Sequence, residues 1–347
     1  MIIISDYATT KNKESVKKYT ITNENGMSVE VINLGGIITS VKVPNKHNGF
    51  TDVVLGYENP EDYFENPFYF GAVIGRYGNR IANAKFSIND EVFRLEANNG
   101  PHNLHGGSNS FHTKIWDIDV VNDNTLQLNY LSKDGEEGFP GNLLATVFYT
   151  LDNDNALHIN YEATTDKETV VNMTQHTYFN LSGDFANSIL DHDLMLNSDH
   201  YLTTNETMIP TGELKSVEHT AFDFRNFKTL GEDINADEKD LIQGCGYDHT
   251  FVVKGDGLRL VAIAKHQKSG RVLEILSTEP GVQLYTGNHI NSSKNNQQGI
   301  ACEKRTGFCL ETQHFPDSPN RKDFPTTILK PGEKYKYHTI FKFSLEL

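Results

Sequence analysis

The run Lys334-Tyr335-Lys336-Tyr337-His338-Thr339-Ile340-Phe341-Lys342-Phe343-Ser344-Leu345-Glu346-Leu347 alternates between two kinds of residue. Tyr335, Tyr337, Phe341, Phe343, Leu345 and Leu347 fall on one side, with Lys334, Lys336, Lys342 and Glu346 on the other. Successive side chains of an extended backbone point to opposite faces, so the pattern specifies a strand with one face buried. The same period recurs upstream. Leu126, Leu128 and Tyr130 share a face within 125–130, as do Leu157, Ile159, Tyr161 and Ala163 within 157–163. Turn pairs (Asn25-Gly26, Asp134-Gly135, Pro140-Gly141, Asp256-Gly257) punctuate such stretches, as a sandwich or barrel requires. Helical periodicity is confined to 60–65 and 231–241. No internal repeat and no linker of boundary composition appears, so residues 1–347 read as a single, large, antiparallel all-β domain. The Asn-rich segment 288–299 reads as a solvated loop, a candidate rim or lid.

Charge narrows the partners. With 31 basic and 46 acidic residues the formal net charge is -15 over 347 residues, which argues against nucleic acid or an anionic membrane as main partner. No run approaches the ~18 apolar residues of a membrane helix. The apolar start Ile2-Ile3-Ile4 is shorter than the ~7–15 residue core of a signal peptide. Cys245, Cys302 and Cys309 make neither an even disulfide framework nor paired metal spacing. They read as reduced thiols of a cytoplasmic protein.

Candidate chemistry begins at Glu311. It lies in Gly307-Phe308-Cys309-Leu310-Glu311-Thr312-Gln313-His314-Phe315, which runs into the turn-rich loop Pro316-Asp317-Ser318-Pro319-Asn320. A carboxylate flanked by Leu310 and Phe315 is costly to desolvate unless a hydrogen bond or a ligand uses it. Upstream, Gly71 to Asn83 packs three glycines around Arg76 and Arg80; this is not a phosphate-loop fingerprint. The glycines suggest close approach of backbone to a ligand, with Asn79 and Arg80 as donors. His102, His105 and His112 sit close in sequence, but no nearby carboxylate or thiolate completes an ordinary metal set. Val170 to Leu181 reads as a strand with Thr174, His176, Tyr178 and Asn180 on one face. A solvent-facing strand would recruit Lys and Glu instead, so this row suits a polar cleft. Asp248 follows the flexible turn Gly244-Cys245-Gly246, and Gln283 lies on a strand after Glu279-Pro280-Gly281. Together these groups suit a neutral polyol, and they supply both a carboxylate base and an imidazolium acid.

The ordered stretches Gly75-Arg76-Tyr77-Gly78-Asn79-Arg80-Ile81-Ala82, Asn103-Leu104-His105-Gly106-Gly107, Asp134-Gly135-Glu136-Glu137-Gly138-Phe139-Pro140-Gly141-Asn142-Leu143, Gln175-His176-Thr177-Tyr178-Phe179-Asn180-Leu181, Tyr247-Asp248-His249, Thr278-Glu279-Pro280-Gly281-Val282-Gln283 and Leu310 to Asn320 carry a resemblance. Spread over nearly the whole chain, they resemble the galactose mutarotase (aldose 1-epimerase) family. The resemblance implies a large β-sandwich of the galactose mutarotase-like supersandwich type. It implies that Glu311 is the general base and His176 the general acid, with His105 assisting. It also implies that Asn79, Arg80, Asp248 and Gln283 hold sugar hydroxyls, and that neither metal nor cofactor is needed. The implied substrate is a free aldohexose such as D-galactose or D-glucose, and the expected assembly is a monomer or homodimer. Gln175 stands where many relatives carry Asn; Cys245 and His289 are not family signatures. Two rivals remain at this point. A glycoside hydrolase would use Asp248 and Glu311 as its carboxylate pair. A non-catalytic sugar-binding protein would be expected to lose Glu311 or His176.

Overall fold

The alternating run near the C-terminus forms Tyr335–Leu345, a strand in the middle of the largest sheet. The computed structural model describes residues 1–346; Leu347, assigned above to the apolar face, lies outside them. The sheet is antiparallel, in the order Asp117–Asn122, Thr125–Ser132, Leu143–Leu151, Ala156–Thr165, Tyr335–Leu345, Arg271–Ser277, Arg259–His266, Asp193–Leu196 and Lys228–Thr229. Its register opposes Leu128, Val147, Tyr161 and Tyr337 along one row. On the wet face Glu162 pairs across to Lys336. A slip of one residue would exchange these faces, which fixes the register.

Two five-stranded sheets pack on the apolar face. The first is a meander of residues 2–52. The second runs Pro210–Ser216, His200–Thr204, Asp248–Val252, Gly281–Tyr285 and Cys309–Gln313. A continuous core draws Ile21 and Val41 from the first, Val282 and Leu310 from the second, and Leu157 and Phe341 from the large sheet. Each such side chain contributes ~1.5–3 kcal/mol by leaving water. The architecture is an antiparallel β-sandwich. None of its helices is long and apolar enough to cross a membrane, and all three cysteines are free.

Three local readings change. The helix expected over 231–241 is two short ones, Leu230–Asp233 and Lys239–Gln243. The polar run Asn235-Ala236-Asp237-Glu238 interrupts it, consistent with side chains that favour local backbone bonds over helix. The 170–181 stretch is not one strand. It pairs in pieces, Thr169–Val170 with Ile328–Leu329 and Thr174–Gln175 with Val73–Ile74, because it crosses between sheets. The 288–299 segment is largely a hairpin, Asn291–Asn295 with Ala301–Glu303. Its amides are used internally. Gln297 Nε2 donates to the Val54 carbonyl at 2.8 Å while its Oε1 accepts the Gly56 N–H at 2.9 Å. Gln298 Oε1 likewise accepts the Phe185 N–H at 2.9 Å.

Arg76 is buried, and the two terminal nitrogens of its guanidinium are bound inside the protein, mostly by carbonyls. Nη1 donates to the carbonyls of Pro140 (2.7 Å) and Gly141 (3.1 Å); Nη2 donates to Ser132 Oγ (2.7 Å) and the Lys133 carbonyl (3.3 Å). Burial lowers its pKa only to about 10, so it stays charged at neutral pH. Arg76→Met would strand several buried carbonyls at ~1–3 kcal/mol apiece. We expect a loss of at least about 3 kcal/mol in urea unfolding, with ligand affinity of the folded fraction unchanged. A loss under about 1 kcal/mol would show that water replaces the guanidinium.

Candidate active site

Strand register brings the acidic and amide candidates together. Glu311 on Cys309–Gln313 lies opposite Gln283 on Gly281–Tyr285, and the latter strand pairs next with Asp248–Val252. The edge beyond Cys309–Gln313 is met by the segment carrying His176, clamped where Thr174 Oγ1 donates to the Thr312 carbonyl at 2.8 Å. A short antiparallel strand pair, Arg80–Ile81 with Asn103–Leu104, delivers Asn79, Arg80 and His105. These elements enclose a cavity of about 280 Å³. Its polar walls include Asn79, Arg80, His105, His176, Asp248 and Glu311, with Asn99 and His289 beside them.

His176 lies among aromatic rings and between a thiol and a carboxylate. Tyr178 stacks on one side at 5.0 Å between centroids, and Tyr69 stacks at 5.7 Å. Its Nε2 stands 3.7 Å from Glu311 Oε1, too far for a direct hydrogen bond. Its Nδ1 faces the Cys309 thiol at 3.4 Å. His105 meets His176 edge-on at 5.2 Å. Glu311 is only 2% exposed, and its Oε2 has no hydrogen-bond partner. Buried polar atoms are nearly always satisfied, so an orphan carboxylate oxygen in a cavity marks a place for a ligand hydroxyl.

Burial sets the charge states. Desolvation, aided by the negative charge of Asp248, pushes Glu311 well above the ordinary carboxylate value, against a smaller downward pull from Arg80. Burial takes His176 down to about 3. It also lowers His105 well below 6.5, with the neighbouring His176 adding to the effect. Both rings are therefore neutral at pH 7 in the free site, whereas the sequence led us to expect a protonated His176.

Tautomers follow from the neighbours. The Asn79 N–H donates to His105 Nδ1 at 3.1 Å, and the His105 N–H returns to the Asn79 carbonyl at 3.0 Å. A backbone N–H can only donate, so Nδ1 must accept and the neutral ring carries its proton on Nε2. His105, His176 and Glu311 each offer an atom within 4.8 Å of the others, a grouping that has the composition of a metal set. A ligating imidazole normally donates its second N–H to an oxygen; that of His105 accepts instead, which opposes ligation through Nε2.

Not every candidate reaches the cavity. Gln283 sits behind the wall, with Nε2 on Asp248 Oδ1 at 2.6 Å and Oε1 beside Thr250 Oγ1 at 2.5 Å. It orients Asp248. Gly75 packs against its own chain, since a Cβ there would stand 2.3 Å from the Phe111 ring. His102 Nδ1 accepts the Asn83 N–H at 3.0 Å, and His112 bonds to Ser110 at 3.2 Å; the metal set weighed for these histidines does not assemble. Sequence reasoning passed over Phe68 and Tyr69, which line the cavity, and Asn99, whose Oδ1 fixes Arg80 Nε at 3.1 Å. The aromatic cluster Phe68-Tyr69-Phe70 beside Gly71 was the available signal.

Residues 17–342 match the family model described as aldose 1-epimerase. The chain is 41% identical over 332 residues to a galactose mutarotase of Bos taurus, covering 95% of each. It is 37% identical to an aldose 1-epimerase of Escherichia coli K12, covering 94% of this chain and 95% of that one. Among solved structures, galactose 1-epimerase from Lactobacillus acidophilus NCFM superposes with TM-score 0.87 at 29% identity, covering 100% of this chain and 99% of that one.

The buried carboxylate predicts a stability signature. Unfolded, Glu311 titrates near 4.5; folded, its pKa is raised. Between those values the folded state holds the extra proton, so this group's contribution to stability falls as pH rises. Glu311→Gln, isosteric with the protonated acid, should therefore raise the urea midpoint at pH 8. The gain should shrink to nothing as pH drops below about 4.5. Equal midpoints for mutant and wild type at pH 8 would contradict the assigned burial cost.

Proposed function

The chain belongs to the aldose 1-epimerase family and is an isomerase, and on that premise we propose that it interconverts the α and β anomers of free aldohexoses such as D-galactose and D-glucose. The observation that carries the reading is the pairing of an orphaned, buried Glu311 with a Tyr-stacked His176 across a gap of 3.7 Å. That gap leaves the two groups to be bridged by a substrate.

Glu311 takes the proton of the C1 hydroxyl while His176 delivers one from Nε2 to the ring oxygen. The C1–O5 bond breaks and the aldehyde opens. Rotation about C1–C2 turns the other carbonyl face, and reversed transfers close the opposite anomer. No atom is gained or lost.

The pair holds one proton overall, whether as carboxylate with imidazolium or as carboxylic acid with imidazole. Ring opening converts the first form into the second. Burial favours the second, because it penalises both charges. The site thus makes Glu311 a stronger base and the His176 cation a stronger acid than either is in water, which drives proton transfer toward the open chain. Arg80, held by Asn99, favours the carboxylate before reaction. His105, its Nε2–H fixed by Asn79, donates to an oxygen beside the reacting centre. Asp248, buttressed by Gln283, receives sugar hydroxyls and fixes register.

Arg76 is spent inside the protein, and among the described residues lining the cavity Arg80 is the only arginine or lysine, which favours a neutral sugar over a sugar phosphate. We also take the chain as one domain, since its three sheets share a core, and place it in the cytoplasm as a monomer or homodimer.

Polarimetry on freshly dissolved α-D-galactose and α-D-glucose tests the reading. Wild type should accelerate the approach to equilibrium rotation. Glu311→Gln and His176→Asn should each lose roughly 10²–10⁴ in kcat, the usual worth of a positioned acid or base. His105→Asn should fall between these and a pure binding loss. A Glu311→Gln enzyme keeping half the wild-type rate would remove the base assignment; a wild type no faster than water on both sugars would remove the substrate class.

A further inference from the structure

Tyr69 lines the cavity, yet no proton in the mechanism above passes through it. Its ring meets three imidazoles: His105 edge-on at 4.7 Å between centroids, His112 edge-on at 4.7 Å, and His176 in a stack at 5.7 Å. His105 and His176 meet each other at 5.2 Å, with 80° between their planes. Rings packed in such a triangle cannot swing independently. The backbone of Tyr69 is unusual as well. Its φ is +58°, in the left-handed region that a bulky side chain rarely adopts and that glycine or asparagine enters more easily. Such strain persists where the surrounding structure over-determines it, and it clusters at functional sites. We propose that Tyr69 is a positioning residue: its ring, fixed in this strained turn, sets the angle between His105 and His176 so that both reach the reacting centre together.

The turn is built to hold that ring. The Tyr69 N–H donates to the Asn66 carbonyl at 2.9 Å. Asn66 is only 1% exposed and brackets the next residue, its Oδ1 accepting the Phe70 N–H at 2.9 Å while its Nδ2 donates to the Phe70 carbonyl at 3.1 Å. The chain then ties directly to His176. The Gly71 N–H donates to the His176 carbonyl at 3.0 Å, and the His176 N–H donates to the Ala72 carbonyl at 2.9 Å. Tyr178, which also stacks on His176, donates its hydroxyl to the Phe68 carbonyl at 2.9 Å. Backbone and side chain of one turn therefore act on the same histidine. The Tyr69 ring extends that hold to His105, whose own segment is anchored separately at Asn79. Asparagine at 69 would relax the backbone and leave the second hold unmade.

The inference rests on the anomer-exchange reading above, but one of its tests needs no activity. A crystal structure of Tyr69→Asn, which tolerates the left-handed backbone without the ring, should show the His105 plane turned from its 80° setting against His176. On α-D-galactose this variant should lose roughly ten- to a hundredfold in kcat, as expected when a reacting group is misplaced by about 1 Å. Its KM should change by less than about threefold. Tyr69→Phe keeps the ring and should keep kcat. Tyr69→Leu keeps bulk without a flat ring and should lose as much as Tyr69→Asn, so it carries the test if Tyr69→Asn does not fold. In a His105→Asn background the further loss from Tyr69→Asn should shrink, because part of what the ring positions is already gone. A packing role would instead lower the thermal midpoint and leave kcat of the folded enzyme unchanged. Imidazoles unmoved in the variant, wild-type kcat in Tyr69→Asn, or equal losses in Tyr69→Phe and Tyr69→Asn would each overturn the proposal. Failure of wild type in polarimetry would instead remove the activity and leave the ring geometry to be decided by the crystal structure.

Discussion

The rest of this structure is arranged around a carboxylate almost wholly withdrawn from bulk water. Glu311 is 2% exposed and one of its oxygens has no partner. Leaving such a group dry and half-satisfied is unfavourable, and a structure selected for stability alone would pair it with a cation at short range. Instead Asp248, another carboxylate, is what most strongly perturbs it after burial. The arrangement keeps Glu311 hungry for a proton. That is a poor way to stabilise a sandwich and a good way to make a base. Strain of this kind persists only where a large, well-packed scaffold can absorb it.

The sandwich supplies that scaffold through one strand. Cys309–Gln313 directs Cys309 and Glu311 toward the cavity, while Leu310 enters the core and Thr312 bonds Thr339 of the large sheet at 2.6 Å. Backbone pairing with Gly281–Tyr285 fixes where Glu311 sits relative to Gln283, hence relative to Asp248. The acid–base geometry is thus set by sheet register more than by loop conformation. Groups on regular elements hold their positions more tightly than groups on loops. The loop-borne member, His105, compensates with a reciprocal exchange of hydrogen bonds with Asn79.

Period-two alternation was enough to read the large sheet, because its faces differ so plainly: Tyr161, Phe341 and Phe343 inside, Glu162 and Lys342 outside. It failed for 170–181, where side chains still alternate but the backbone changes partners. Periodicity reports which way a residue points and is silent about what it pairs with. Arg76 was opaque for a different reason. A buried guanidinium serving carbonyls looks the same in sequence as one awaiting an anion. Segment 288–299 misled because amides that satisfy backbone read as amides that seek water. Glu311, His176 and His105 could be singled out from residue type in apolar or turn-rich surroundings. Tyr178 could be read into the same polar row as His176, but Tyr69, which also stacks near that ring, could not be separated from core aromatics, since stacking needs no distinctive neighbour.

Two imidazoles and a carboxylate within 4.8 Å is also a composition that zinc enzymes use. Composition alone does not separate the two chemistries; the atoms behind the rings do. A zinc-bound histidine must present a bare lone pair, so its far nitrogen carries the proton and an oxygen accepts it. Behind His105 stands the Asn79 N–H, which cannot accept anything. To ligate through Nε2, that ring would have to protonate Nδ1 against a backbone donor 3.1 Å away, or break the contact with Asn79 that holds it. Either change costs an unmade hydrogen bond in a buried place, about 1–3 kcal/mol. The same N–H that disfavours a metal leaves the His105 Nε2–H as a donor facing the cavity, so one backbone amide tilts this triad away from coordination.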